Sequence, residues 1–143
     1  MMKARPIFVD SGAWLALVAP DDQHHRQAKQ ALPKILRRYP QLISSNLVLA
    51  EAYSLIQRVA GKARALSFLD FVHESPRVKI VYSDREVENR AIDLVKKFGD
   101  QTFSYTDAVS FVLMQSMDLV EAFAFDIHFK VAGFVRIPAD KAP

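Results

Sequence analysis

Ile7-Phe8-Val9-Asp10-Ser11-Gly12-Ala13-Trp14-Leu15-Ala16-Leu17-Val18 is the stretch whose reading decides the fold. Three apolar residues in a row make a short strand buried on both faces. The acid that stops them is followed by Ser-Gly, a turn signal, and then by an apolar run that closes at Pro20. The order is strand, acid, helix. Further along, Ala28, Ala31, Leu32, Ile35 and Leu36 carry a helical spacing through residues 22–38, where Pro33 predicts a kink or a break. Leu42-Ile43 predicts a second strand. Asn46 suits the N-cap of a helix that continues through Leu47, Val48, Ala52, Leu55, Ile56 and Val59 to Gly61.

The second half repeats the alternation. Ala63, Leu66, Leu69 and Phe71 predict a helix before Pro76, residues 78–82 a third strand, and Ser83-Asp84-Arg85-Glu86 a capping box for a helix ending near Gly99. Ser104-Tyr105-Thr106-Asp107 opens a largely apolar helix over 108–117, with its acid at the third helical position. Residues 122–125 predict a fourth strand ending at Asp126, and 134–137 a short fifth. Strands alternating with helices imply parallel pairing and right-handed crossovers, hence an α/β fold: a three-layer α/β/α sandwich around a central, mainly parallel sheet.

Composition bounds the chemistry. The 143 residues fit a single domain, 1–143, and half of them are hydrophobic. The absence of cysteine excludes disulfides and thiolate metal sites, so any metal is held by oxygen or imidazole, which favours hard cations. No uncharged apolar stretch reaches membrane-spanning length and the N-terminus lacks a signal-peptide core, which predicts a cytoplasmic protein with no membrane partner. A net charge of +3 is compatible with a polyanionic partner without demanding one, and the clusters Lys34, Arg37, Arg38 and Arg58, Lys62, Arg64 read first as solvated helix faces.

Four acids stand where acids are costly. Asp10 and Asp126 each terminate an apolar strand, and in a parallel sheet both project from the carboxyl edge, where open α/β folds place their sites. Glu51 has Leu47, Val48 and Leu55 as helical neighbours, and Asp107 has Phe103 and Phe111. A carboxylate half-buried among such groups costs several kcal/mol unless it is paired, protonated or metal-bound, and no basic residue beside any of the four is placed to neutralise it. A divalent cation with a preference for oxygen is the simplest remedy for four converging acids, and it suits phosphodiester hydrolysis. Ordinary roles compete at each position: Asp10 as an N-cap, Asp107 as a capping-box acid, Asp126 as a turn residue, Glu51 as a surface residue. All four together would need four coincidences.

At these positions the chain resembles the PIN-domain ribonucleases, and within them the VapC-like toxins of toxin–antitoxin pairs. Phe8-Val9-Asp10-Ser11-Gly12 is similar to the first motif of that family, Asn46-Leu47-Val48-Leu49-Ala50-Glu51 to the second, Ser104-Tyr105-Thr106-Asp107-Ala108 to the third and Phe123-Ala124-Phe125-Asp126-Ile127-His128-Phe129 to the fourth. The resemblance runs nearly end to end and keeps order and spacing. It implies Mg²⁺ or Mn²⁺ held by Asp10, Glu51, Asp107 and Asp126, endonucleolytic cleavage of RNA to a 5′-phosphate and 3′-hydroxyl, a cognate antitoxin, and commonly a homodimer. Many relatives carry Thr or Ser where this chain has Ala124, which predicts weaker metal binding or slower turnover. Ser11, Ser104 and Thr106 remain as hydroxyl donors behind the acids, and helix capping accounts for them equally well.

Other features weigh less. His24-His25 lacks the spacing of a helical metal pair and reads as a solvated helix start. His128 follows the fourth acid closely, within reach of a substrate phosphate or simply capping a turn. Trp14 reads as core or dimer surface rather than a base-stacking platform. A serine hydrolase lacks its Gly-x-Ser-x-Gly elbow. A phosphoacceptor domain would need an acid pair after the first strand and a Lys after the last, and a haloacid-dehalogenase-like phosphatase an acid at Gly12. The remaining alternative is a catalytically weak module that only binds RNA or protein, against which four costly carboxylates argue.

Overall fold

The computed structural model describes residues 4–100 and 102–139. Strands β1 (Ile7–Val9), β2 (Leu42–Ser45), β3 (Val78–Val81), β4 (Glu121–Phe123) and β5 (Val135–Ile137) form one sheet in the order β3-β2-β1-β4-β5, every pair parallel. Helices α1 (Ser11–Val18), α2 (His25–Arg38), α3 (Asn46–Ala60), α4 (Lys62–Glu74), α5 (Arg85–Lys97), α6 (Tyr105–Ser116) and α7 (Ile127–Val131) supply the connections and the outer layers. The expected three-layer α/β/α sandwich is what the chain forms. Parallel pairing is why β1 is wholly apolar and every residue of β2 is buried, its two serines included, for a strand covered on both faces has no solvent side.

From β1 the chain steps outward to β2 and β3, then crosses back to lay β4 on the other side of β1. That reversal leaves a crevice between β1 and β4 at the carboxyl edge, the switch point at which open α/β sheets bind ligands. The main core lies against the sheet, with Phe8, Phe111, Phe123 and Phe129 among its largest buried side chains. A smaller cluster, Ala91, Ala108, Val109, Val112 and Leu113, joins α5 to α6.

Several local expectations are corrected. Ser45, not Asn46, is the N-cap of α3, its hydroxyl accepting from Val48 N, while the Asn46 side chain accepts from Ser83 N. Asp84, rather than a Ser83–Glu86 box, caps α5 by accepting from Val87 N. Pro33 does not break α2, which runs on to Arg38 with the ring on the exposed side. In α4 the buried stripe is Ala65, Phe68 and Val72, whereas Leu66 and Phe71 are nearly half exposed. Trp14 stacks obliquely on Phe68, so the buried stripe is selected by α1 across the interface. The fourth strand stops at Phe123, and the short helix α7 after Asp126 was not expected.

Candidate metal and active site

Asp10 emerges from β1 directly into α1. Its backbone N–H donates to Phe123 O on β4, and its carbonyl accepts from Ala13 and Trp14 at the start of the helix. It occupies the N-cap position, yet its side chain accepts no capping hydrogen bond. The carboxylate is therefore free to face the crevice, 3% exposed, with Oδ1 lacking any hydrogen-bond partner.

Asp107 arrives on the first turn of α6, which a capping box anchors: Ser104 Oγ accepts from Asp107 N, and Asp107 Oδ2 accepts from Ser104 N at 3.2 Å. Asp126 follows β4 and caps α7, its Oδ1 accepting from His128 N at 2.9 Å. Glu51, on the second turn of α3, is half-buried and accepts a short hydrogen bond from Ser11 Oγ. Two strand ends and two helix starts thus deliver four carboxylates to one groove of about 320 Å³, whose walls also include Ser11, Gly12, Leu55, Thr102, Ser104 and His128. A Cβ added at Gly12 would meet no protein atom within 4 Å, so the glycine keeps space open there.

The electrostatics match the crowding. Burial, then the Asp107 charge, raise the Asp10 carboxyl to about 8; Glu51 and Asp126 add to the rise and the Ser11 backbone N–H opposes it. Asp107 is raised to about 6, chiefly by burial and then by Asp126, against the Ser104 backbone N–H and His128. Among the described residues no Lys or Arg lines the groove to relieve this repulsion. Asp107, Asp126 and His128 each offer a ligand atom within 4.8 Å of the others. His128 Nδ1 stands 2.9 Å from Asp126 Oδ1, off the line of a ring hydrogen bond.

His128, read from the sequence as within reach of a substrate phosphate or as a turn cap but not as a ligand, stands with Asp107 and Asp126 as a ligand-bearing side chain; its signal was its place two residues after the fourth acid. Of the three hydroxyl residues expected behind the acids, Ser11 holds Glu51, Ser104 holds Asp107, and Thr106 contributes only its carbonyl, to Ser110, away from the groove walls. Trp14 is core, its Nε1 donating to Ser44 Oγ. His24 and His25 are less solvated than expected: His24 stacks flat on Phe125 and His25 Nδ1 lies 2.7 Å from Ala16 O.

A parallel α/β sheet with an acidic groove at its switch point defines a class of fold with a cluster that could hold a metal ion, more than any one protein. Residues 7–135 match the PIN domain family, to which the chain belongs. It is 30% identical over 131 residues to the 23S rRNA-specific endonuclease VapC20 of Mycobacterium tuberculosis (strain CDC 1551 / Oshkosh), covering 92% of this chain and 97% of that relative. The VapC ribonuclease of Archaeoglobus fulgidus is 28% identical over 130 residues, covering 90% and 81%. The crystal structure of M. tuberculosis VapC20, a sarcin–ricin-loop-cleaving toxin, superposes with a TM-score of 0.84 at 30% identity, covering 90% of this chain and 96% of that one. VapBC2 of Rickettsia felis, solved on promoter DNA, shares the fold at 13% identity with a TM-score of 0.68, covering 92% and 96%. Among the described residues no helix is long and apolar enough to cross a membrane.

Proposed function

We propose that this chain is a Mg²⁺- or Mn²⁺-dependent endoribonuclease and the toxin of a toxin–antitoxin pair. The observation that carries the reading is the Asp10 carboxylate, buried and with an oxygen unpartnered among the described residues, facing three further acids in a groove that no described Lys or Arg lines. Four carboxylates with one imidazole beside them make a donor set that suits a hard divalent cation, and an orphaned buried carboxylate oxygen is the atom such a cation would satisfy. Asp10, Asp107 and Asp126 would hold the ion, with Glu51 completing the cluster. Once bound, a divalent ion supplies charge stabilisation for the phosphorane-like transition state and lowers the pKa of a coordinated water.

The chain's own residues do the rest. Glu51, steadied by Ser11, orients the attacking water and accepts its proton. The capping box fixes Asp107 so that it does not swing out of the groove when the substrate phosphate approaches. Attack by water on the phosphorus breaks the P–O3′ bond and leaves a 5′-phosphate, and the departing 3′-oxygen takes a proton from solvent to become the 3′-hydroxyl. In this reading 1–143 acts as one unit in the cytoplasm, with RNA as substrate, a homodimer as the working form, and a cognate antitoxin as the partner that silences it. The similarity to VapC relatives named as ribonucleases and as a toxin supports the RNA substrate and the toxin role.

Incubation of labelled structured RNA with the purified chain tests this. Cleavage is expected with Mg²⁺ or Mn²⁺ and is expected to vanish in EDTA and in Asp10→Asn. An Asp10→Asn chain that still cuts at the wild-type rate would overturn the mechanism.

A further inference from the structure

The acid groove would hold a scissile phosphate only with the help of a cation, and among the described residues it offers no Lys or Arg for the neighbouring phosphates of the strand. Those contacts have to come from elsewhere. Along α2, Arg26, Gln30, Lys34 and Arg38 recur every four residues and so form one ridge, with successive Cα atoms about 6 Å apart along the axis. This ridge lines a second groove of about 460 Å³ between α2 and the end of β5, with Ile35 and Pro138 on its apolar floor. Of its lining residues among those described, three are cationic and none is acidic. Arg38 also reaches Glu121 at 3.3 Å, but its side chain is 65% exposed and can turn to a ligand.

The two grooves are connected through the fold. His24 caps the start of α2 and stacks on Phe125 with ring centres 4.3 Å apart, and the next residue is Asp126. On the other wall, Ile137 O accepts from Ala124 N, two residues before the same acid. The N-terminal end of the cationic ridge therefore lies beside the carboxyl edge of the sheet, where the acids converge.

Resting on the ribonuclease reading, we propose that the α2–β5 groove is the track for the RNA strand flanking the cleaved bond, its phosphates held by Arg26, Lys34 and Arg38 with Gln30 between them. A polyanion already engaged at the adjoining edge favours this over an acidic peptide. Cations about 12 Å and about 6 Å apart along one helix ridge, with a neutral Gln30 in the longer gap, can hold a phosphate backbone without reading its bases.

The test separates the track from the chemistry. Binding of a labelled single-stranded RNA to the full chain is followed by anisotropy in EDTA, where no cutting occurs, across a salt series. Replacing Arg26, Lys34 and Arg38 together by Gln is expected to weaken binding by at least about tenfold and to flatten the slope of log affinity against log salt by about 2, at roughly 0.7 per lost phosphate contact. Cleavage of a di- or trinucleotide with Mn²⁺, too short to reach the ridge, is expected to be unchanged, and an unchanged melting temperature excludes misfolding. Lys34→Glu alone should weaken RNA binding in the same direction. Unaltered affinity and slope would overturn the track even if the chain cleaves RNA. An acidic peptide that binds through these residues while RNA binding is unaffected would overturn it in favour of a protein partner. Absence of metal-dependent cleavage together with a salt-sensitive loss of binding would leave the track standing and refute the nuclease reading instead.

Discussion

The two grooves of this molecule are built in opposite ways. The acidic one is made of short carboxylates fixed by backbone: a strand end, a helix cap, a capping box, a helix second turn, with Asp10 and Asp107 no more than 5% exposed. The cationic one is made of long, exposed side chains laid along one helix. Clustering buried like charges costs folding free energy, and arranging solvated ones on a ridge costs almost none. Position to within a fraction of an ångström is needed where a bond breaks, and only proximity is needed where a strand is held. Changes in the first groove should therefore move activity and stability in opposite directions, and changes in the second should move affinity alone.

The sharpest test of that contrast is Asp10→Asn. Metal-dependent cleavage should fall by about 10³-fold or more, equivalent to at least ~4 kcal/mol of transition-state stabilisation. The metal-free chain should meanwhile become more stable, by roughly 1 kcal/mol and thus a few degrees in melting temperature at pH 8, because an orphaned buried charge is removed. A variant that loses both activity and stability would break the contrast. Next in size, Ser11→Ala should weaken metal affinity about 10–100-fold by releasing Glu51, as titration with Mn²⁺ would show.

The pH dependence has a definite sign. Asp10 and Asp107 have folded-state pKa values of about 8 and about 6, above the 3.8 of an unfolded aspartate. The folded chain then holds these protons more tightly than the unfolded one. The stability they contribute is complete below about pH 4 and is lost as pH rises through 6 and then 8. Melting in EDTA from pH 4 to 8.5 should show the decline, with Asp10→Asn flattening it and Mn²⁺ reversing it at the upper end. Smallest of all is Ser45→Ala, expected to cost about 1 kcal/mol through the α3 cap with little change in cleavage per folded molecule.

Much of this arrangement was legible in the sequence because it depends on local signals. Five apolar runs, each short and bounded, gave the strands, and an acid directly after two of them gave the carboxyl-edge site. The Ser104–Asp107 box was readable because both of its hydrogen bonds span three residues. What escaped was decided across space. Leu66 and Phe71 look as apolar as Phe68, and only the position of Trp14 selects which stripe of α4 is buried. Asn46 is as good a cap as Ser45, and the choice follows from β2 extending to Ser45 while Ser83 N takes the Asn46 side chain. His128 joins the acids because α7 turns at once after Asp126, and five residues are too few to show a helical period.

The capping roles of two of the acids bear on how a lapsed enzyme of this kind would be recognised. Asp107 and Asp126 each tie down the first turn of a helix, so a descendant that had abandoned chemistry would still be under pressure to keep them for folding. Asp10 caps nothing with its side chain, and Glu51 is held by a serine hydroxyl and serves no turn of backbone. Of the four carboxylates, these two are the dispensable ones for architecture, and it is their presence that distinguishes a working nuclease from its fossil.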